Sequence, residues 1–271
     1  MNLKKIFIIF IFLIGFIVAL YPQFTKIYYN YNMQSKSLEV EEEFIKNKGN
    51  LKQYVYQKEI NDSLVRNQIA IKPPPVENNS ANTTITDFSN EKIIATIKIP
   101  KLKIHYPILD GATPENLNKG VSRVEGTSYP IGGKSTNSVL AAHSYSPFNE
   151  WFTNIDKLDV GDAIIINNAK EQIIYKVVNQ RIVNPAQTDA IEIIKGKDMV
   201  TLLTCTPSGA ERILIYAERD SADFKAEAIQ KDKKQYSIYE ILKVLSDSWI
   251  IILISIALLI MFIKKILDAN Q

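Results

Sequence analysis

The chain has 271 residues, 46% of them hydrophobic and 23% charged, with 32 Lys and Arg against 29 Asp and Glu. This is the composition of a globular protein of one or two domains with a real core. A net charge of +3 is too small to point to nucleic acid, and "VEEEF" at Val40–Phe44 reads as the solvated face of a helix rather than an acidic tail.

Both ends are apolar. Lys4 and Lys5 precede "IFIIFIFLIGFIVALY", and "WIIILISIALLIMFI", Trp249–Ile263, runs into Lys264 and Lys265. Each run is a little short of the roughly 20 residues that span a bilayer, and neither carries a charge. The lysines lie on the terminal side of each run, so the positive-inside tendency places both termini in the cytoplasm and the intervening chain across the membrane. The basic "KDKK" at Lys231–Lys234 argues weakly the other way. Residues 1–21 read as a transmembrane anchor or a cleaved signal; "VALY" is a poor small-residue cleavage site, which favours the anchor. Either reading exports the middle of the chain.

Residues 22–71 are charged and poor in breakers. Their apolar residues Leu38, Phe44, Leu51, Val55, Ile60 and Val65 recur at helical spacing, so one or two helices are expected outside the membrane. Residues 72–90, "KPPPVENNSANTTITDFSN", have the prolines and polar run of a linker or surface loop. From residue 91 to 220, short apolar runs ("IIATIKI", "SVLAAH", "AIIIN", "IIYKVV", "DMVTLLTC", "RILIYAE") alternate with Gly, Pro, Asn and Asp, the texture of an all-β domain. A connector (221–248), a second span (249–263) and a cytoplasmic tail (264–271) complete the expected organisation.

One Cys and two widely separated His make a zinc site improbable, and no Gly-rich phosphate loop is present, so neither metal nor cofactor is expected. An exported chain with one cysteine has no internal disulfide to form, which leaves an intermolecular bridge or a reactive thiol. Two apolar runs stop at chemically active side chains, "SVLAAH" at His143 and "DMVTLLTC" at Cys205. Strand alternation puts Thr201, Leu203 and Cys205 on one face. The loop "TPSGAE" turns the chain, and Arg212 opens the next strand; a hairpin there makes Cys205 and Arg212 neighbours. A thiolate is the nucleophile and a free thiol titrates near about 8.5. His143 could activate it and shuttle the proton, while the fixed guanidinium of Arg212 suits a developing oxyanion. His105, in "KLKIHYPIL", falls in an alternating segment beside Lys101 and Lys103 and is expected to be exposed and without a role in the site.

These motifs resemble the sortases, membrane-anchored cysteine transpeptidases of Gram-positive bacteria. "TLLTCTPSGAERILI" is similar to the family's strand–Cys–loop–Arg–strand signature, "SVLAAHSYSPFNEWFTNIDKLDVGDAIII" to its histidine segment, and "IATIKIPKLKIHYPILDGATPENLNKGVSRVEGTSYPIGGKSTNSVL" to its opening strands. The resemblance covers Ile93 to Glu218. It implies a closed eight-stranded β-barrel with short helices, preceded by the helical and linker segments and flanked by two transmembrane helices. It further implies that Cys205 attacks the threonyl carbonyl of an LPxTG-like sorting signal to form a thioester. In the same likeness His143 protonates the leaving amine and deprotonates the incoming one, Arg212 steadies substrate and oxyanion, and Thr204 supports the substrate backbone. "PIGGKSTNSVL", "WFTNIDKL" and "TLLTCTP", with an apolar span at each end, look most like class C, the pilin polymerases. The implied partners are surface proteins or pilins bearing sorting signals and an amine acceptor, a pilin lysine or a peptidoglycan precursor. Asp87 and Phe88, in "TDFSN", stand where class C enzymes carry a lid motif. The readings that compete with pilin polymerisation are attachment to a peptidoglycan cross-bridge amine and, in another class, a non-enzymatic membrane-tethered surface β-domain.

Overall fold

The computed structural model describes residues 3–46, 51–67, 92–144, 151–220 and Met261. The expected linker or lid, the connector and, apart from Met261, the second apolar span lie outside the described residues. The chain divides into two units, Met1–Tyr31 with Lys225–Gln271 and Asn32–Phe224. Helix α1, Leu3–Lys46, begins in the first and ends in the second.

In the first unit α1 runs through Pro22 without a break, although proline lacks an amide proton and crowds the preceding turn. Thr25 Oγ1 donates to the carbonyls of Tyr21 and Pro22 at 3.1 and 2.9 Å, holding the turn that follows. Among the described residues, this helix is long and apolar enough, from Phe7 onward, to cross a membrane.

The second unit is built on a closed barrel of eight strands: β1 (Ile93–Ile99), β2 (Ile104–Asp110), β3 (Val121–Arg123), β4 (Thr136–Ala141), β5 (Ala163–Asn167), β6 (Gln172–Val183), β7 (Asp198–Cys205) and β8 (Arg212–Arg219). Around the barrel the order is β1-β2-β3-β4-β7-β8-β6-β5, with β5 returning to β1. Neighbours are antiparallel except β2 with β3 and β4 with β7. A six-residue helix, α3 (Pro114–Lys119), makes the first of these crossovers; its N-cap Thr113 accepts from the Asn116 amide, and Pro114 opens it. Closure leaves no open sheet edge around the ring and turns one face of each strand inward; Ile97, Ile108, Leu140, Ile164, Leu202 and Ile215 are wholly buried.

The "PIGG" segment has a local cause. It lies in the connection from β3 to β4, where Gly133 donates its amide to Asp198 Oδ2 at 2.7 Å; Asp198 Oδ1 accepts from the Tyr175 hydroxyl at 3.0 Å. Gly132 has φ +69°, and a Cβ there would meet Ile173 Cδ1 and Arg219 Nη1 at 3.0 Å. Only glycine combines that backbone with that approach.

Two helical segments dock on the barrel through polar groups. The second half of α1 buries Met33, Ser37 and Val40, at i, i+4 and i+7; helix α2 (Leu51–Asn67) buries Gln57, Asn61 and Leu64 at the same spacing. Leu38, Val55 and Val65, apolar residues that marked these helices in the sequence, are exposed instead. The docking contacts explain the difference. Asn61 makes a two-way amide pair with Tyr129, accepting from its amide at 2.7 Å and donating to its carbonyl at 3.1 Å. Glu41 Oε1 accepts from Thr96 Oγ1 at 2.6 Å and Asn167 Nδ2 at 2.7 Å, and meets His105 Nε2 at 2.7 Å.

His105 is therefore not the exposed residue its neighbourhood suggested. Its side chain is 15% exposed because α1 covers it. Burial by itself would raise the Glu41 carboxyl; hydrogen bonds and charge from His105, with Thr96 and Asn167, outweigh it and hold Glu41 below its ordinary value of 4.5. A carboxylate whose folded value is depressed contributes stability above the unfolded value and loses it as pH falls through the folded one. Glu41→Gln is expected to lower the melting temperature of the full-length protein by about 2–4 °C at pH 7. Melts repeated below pH 4.5 should show that gap closing.

Candidate active site

The chemistry lies at one end of β4, β7 and β8. Ala141 is opposite Leu203, and Leu203 is opposite Leu214, so these three side chains form one row across three strands. All three belong to an apolar cluster with Val139, Met199, Tyr216 and Val183. Two residues further along, alternation returns to the same face. There Cys205 is opposite Arg212, and Arg212 is opposite Val183 on β6. His143, two residues beyond Ala141, continues the row beside Cys205, and the Ala142 amide still reaches the Leu203 carbonyl at 3.2 Å. Adjacent strands are about 4.8 Å apart. Cys205 and Arg212 thus face each other across β7 and β8 at one end of the barrel, and His143 follows two residues after the end of β4, the neighbour of β7.

Each has a distinct environment. His143 is half-buried, with its ring centroid 5.6 Å from that of Trp151 at an interplanar angle of 34°. Burial lowers the imidazole from its ordinary value of 6.5, so at neutral pH it rests uncharged and able to accept a proton. Cys205 is the free thiol, partly exposed at the end of its strand. Thr204 faces the other way and is buried, its hydroxyl donating to the Ala142 carbonyl at 2.8 Å.

Arg212 is 7% exposed, far from the solvated strand residue that an isolated arginine usually is. Its Nη1 donates to the carbonyls of Gly209 and Glu211 at 3.0 and 3.1 Å, drawing the loop from β7 to β8 around the guanidinium. That loop is closed by Thr206 N to Glu211 O at 3.0 Å and Gly209 N to Thr206 O at 2.8 Å, with Gly209 at φ +73°. Both of these side-chain hydrogen bonds of Arg212 come from Nη1. Among the described residues no group of His, Cys, Asp and Glu could hold a metal ion. Asp87 and Phe88 lie outside the described residues.

The comparisons agree on the barrel. The model of the sortase domain matches residues 97–220. Sortase C-1 from Actinomyces oris superposes with a TM-score of 0.56 at 30% identity, over 63% of this chain and 97% of that one. The pilus-related sortase C of Group B Streptococcus gives 0.54 at 32%, over 64% and 91%.

The chain belongs to the sortase family. Sortases are cysteine transpeptidases, and these two solved sortases are of class C, the class its motifs resemble. By sequence, sortase A of Bacillus anthracis is 30% identical over 125 residues, 46% of this chain and 58% of that protein. Sortase A of Streptococcus agalactiae serotype III is 25% identical over 185 residues, 60% of this chain and 74% of that one.

Two residues of this sortase's site carry no advance signal in the sequence. Trp151 reads as an ordinary core aromatic, yet it lies against the His143 ring. Ser144 is one more polar residue in "HSYS", yet its hydroxyl donates to the Cys205 carbonyl at 2.7 Å. A contact between segments so far apart in the chain is invisible to local pattern.

Proposed function

We propose that this sortase is a membrane-tethered, extracytoplasmic transpeptidase that cleaves an LPxTG-like sorting signal after threonine and transfers the acyl group to an amine, a pilin lysine. The observation that supports the reading is the pairing of Cys205 with Arg212 at the ends of β7 and β8, with His143 two residues past the end of the adjoining β4. His143 takes the thiol proton as Cys205 Sγ attacks the threonyl carbonyl carbon. The carbonyl π electrons move to oxygen, and the guanidinium of Arg212 stabilises that oxyanion. On collapse the C–N bond breaks, the imidazolium gives its proton to the leaving amine, and a thioester remains. An incoming amine then attacks the thioester, His143 accepts a proton from it, and the thiol is regenerated as the new amide forms. Thr204 supports the substrate backbone through the strand it holds.

Class C likeness favours pilin lysine as the acceptor over the peptidoglycan cross-bridge. Both acceptors can be offered to the full-length protein in detergent, with a pilin carrying a sorting signal as donor. Polymer ladders of pilin are expected. Attachment to cell-wall precursor without ladders would assign the cross-bridge amine instead, and no thioester with either would sink the transpeptidase reading.

A further inference from the structure

Beyond the last strand residues the parallel ladder between β4 and β7 continues in altered form. The Ala142 amide donates to the Leu203 carbonyl. In a regular parallel ladder the next such rung lies two residues on, from the amide of residue 144 to the carbonyl of residue 205. Here the Ser144 hydroxyl makes that rung, donating to the Cys205 carbonyl at 2.7 Å. The Thr204 hydroxyl donates in the opposite direction to the Ala142 carbonyl at 2.8 Å. His143 is bracketed: Ala142 before it is tied to Leu203 and Thr204, and Ser144 after it is tied to Cys205. Its own carbonyl accepts from the Phe152 amide at 3.2 Å.

We propose that Ser144 is a positioning residue, whose hydroxyl ties the chain after His143 to the Cys205 backbone and so keeps imidazole and thiol in register. The turnover part of this inference rests on the transpeptidase reading above. His143 lies outside the backbone-paired part of β4, and on its far side the Phe152 amide ties it only to its own loop, so without Ser144 nothing among the described residues on that side ties it to β7. Thr204 does not replace that tie, because it acts on the near side of the histidine. Trp151 restrains the face of the ring and leaves the height of its nitrogens relative to the sulfur to the backbone. A misplacement of about 1 Å between reacting groups is enough to cost up to about a hundredfold in rate.

The test compares full-length wild type, Ser144→Ala and Ser144→Thr in detergent. Alkylation of Cys205 by iodoacetamide is followed across pH, and kcat and KM are measured with an LPxTG-type peptide and a free amine. Ser144→Ala should lower kcat about tenfold with KM within about twofold. It should also slow alkylation at neutral pH and move the alkylation profile to higher pH, as for a thiol that has lost its imidazole partner. Ser144→Thr, which keeps the hydroxyl, should recover both. An alanine variant that alkylates with the wild-type rate and profile would overturn the proposal. So would a kcat loss that follows a lowered melting temperature and is shared by the threonine variant, because the hydroxyl would then be a structural tie alone. If wild type turns over no peptide, the transpeptidase reading fails while the alkylation profiles still decide the role of Ser144.

Discussion

Cys205→Ala should leave the barrel folded and abolish both the thioester and amine transfer. The sulfur stands at the open end of β7, partly exposed, with its backbone held by Arg212 across β8 and by Ser144 on the other side, and neither tie uses the thiol. Losing one partly exposed sulfur removes little packing, so the melting temperature should stay within about 2 °C. Catalysis has no second nucleophile to fall back on. The two hydroxyls that flank it in sequence are both engaged, Thr204 with the Ala142 carbonyl and Thr206 with Ser208 Oγ and the Glu211 carbonyl. Transfer should fall by at least about a thousandfold, the scale on which loss of a covalent nucleophile is felt. Mass spectrometry of the acyl-enzyme and amine-transfer assays read the two effects separately, and a variant that still transfers at wild-type rate would refute nucleophilic catalysis by Cys205.

Arg212→Lys is expected to lower kcat by about 10²–10³-fold although charge is conserved. In the proposed mechanism the guanidinium has two tasks at once. Nη1 clamps Gly209 and Glu211, while the remainder of the fork is left for the oxyanion. An ammonium places its three donors on one atom and is more strongly hydrated, so it cannot hold the loop with one nitrogen and the substrate with another. If it keeps the loop, oxyanion stabilisation is lost; if it turns to the oxyanion, the loop loosens around Cys205. Steady-state kinetics with a sorting-signal peptide measure the loss, and a kcat within threefold of wild type would show that the guanidinium geometry is dispensable.

Parts of this site could be read from the chain alone because they are local. "DMVTLLTC" and "RILIYAE" are apolar runs with turn residues between them, and a hairpin places Cys205 opposite Arg212 with no knowledge of the remaining strands. The barrel was legible chiefly through the likeness to sortases, since short strands at regular spacing fit a sandwich as well as a closed ring. The three-residue β3 is too short to show a period, and β2 was obscured by His105 and its lysines, which suggested an exposed segment. That expectation failed because the cover over β2 comes from Glu41 and Ser37 on α1, far back in the chain. Apolar spacing likewise announced helices in residues 22–71 without indicating their docked faces. Those faces carry Ser37, Gln57 and Asn61, whose burial is tolerable only where partners await them.

Alternation, breakers and a lone cysteine thus sufficed for the kinds of element and for the Cys205–Arg212 pair. Whether His143 stands beside them was left to the tertiary structure. It follows from the parallel pairing of β4 with β7, which no turn imposes, because two other strands intervene in the chain. The register of such a pair is set by which side chains share a buried row, here Ala141, Leu203 and Leu214, and by the hydroxyls of Thr204 and Ser144 that extend it. Packing between distant segments, and not any local preference, sets the backbone around His143 beside the end of β7.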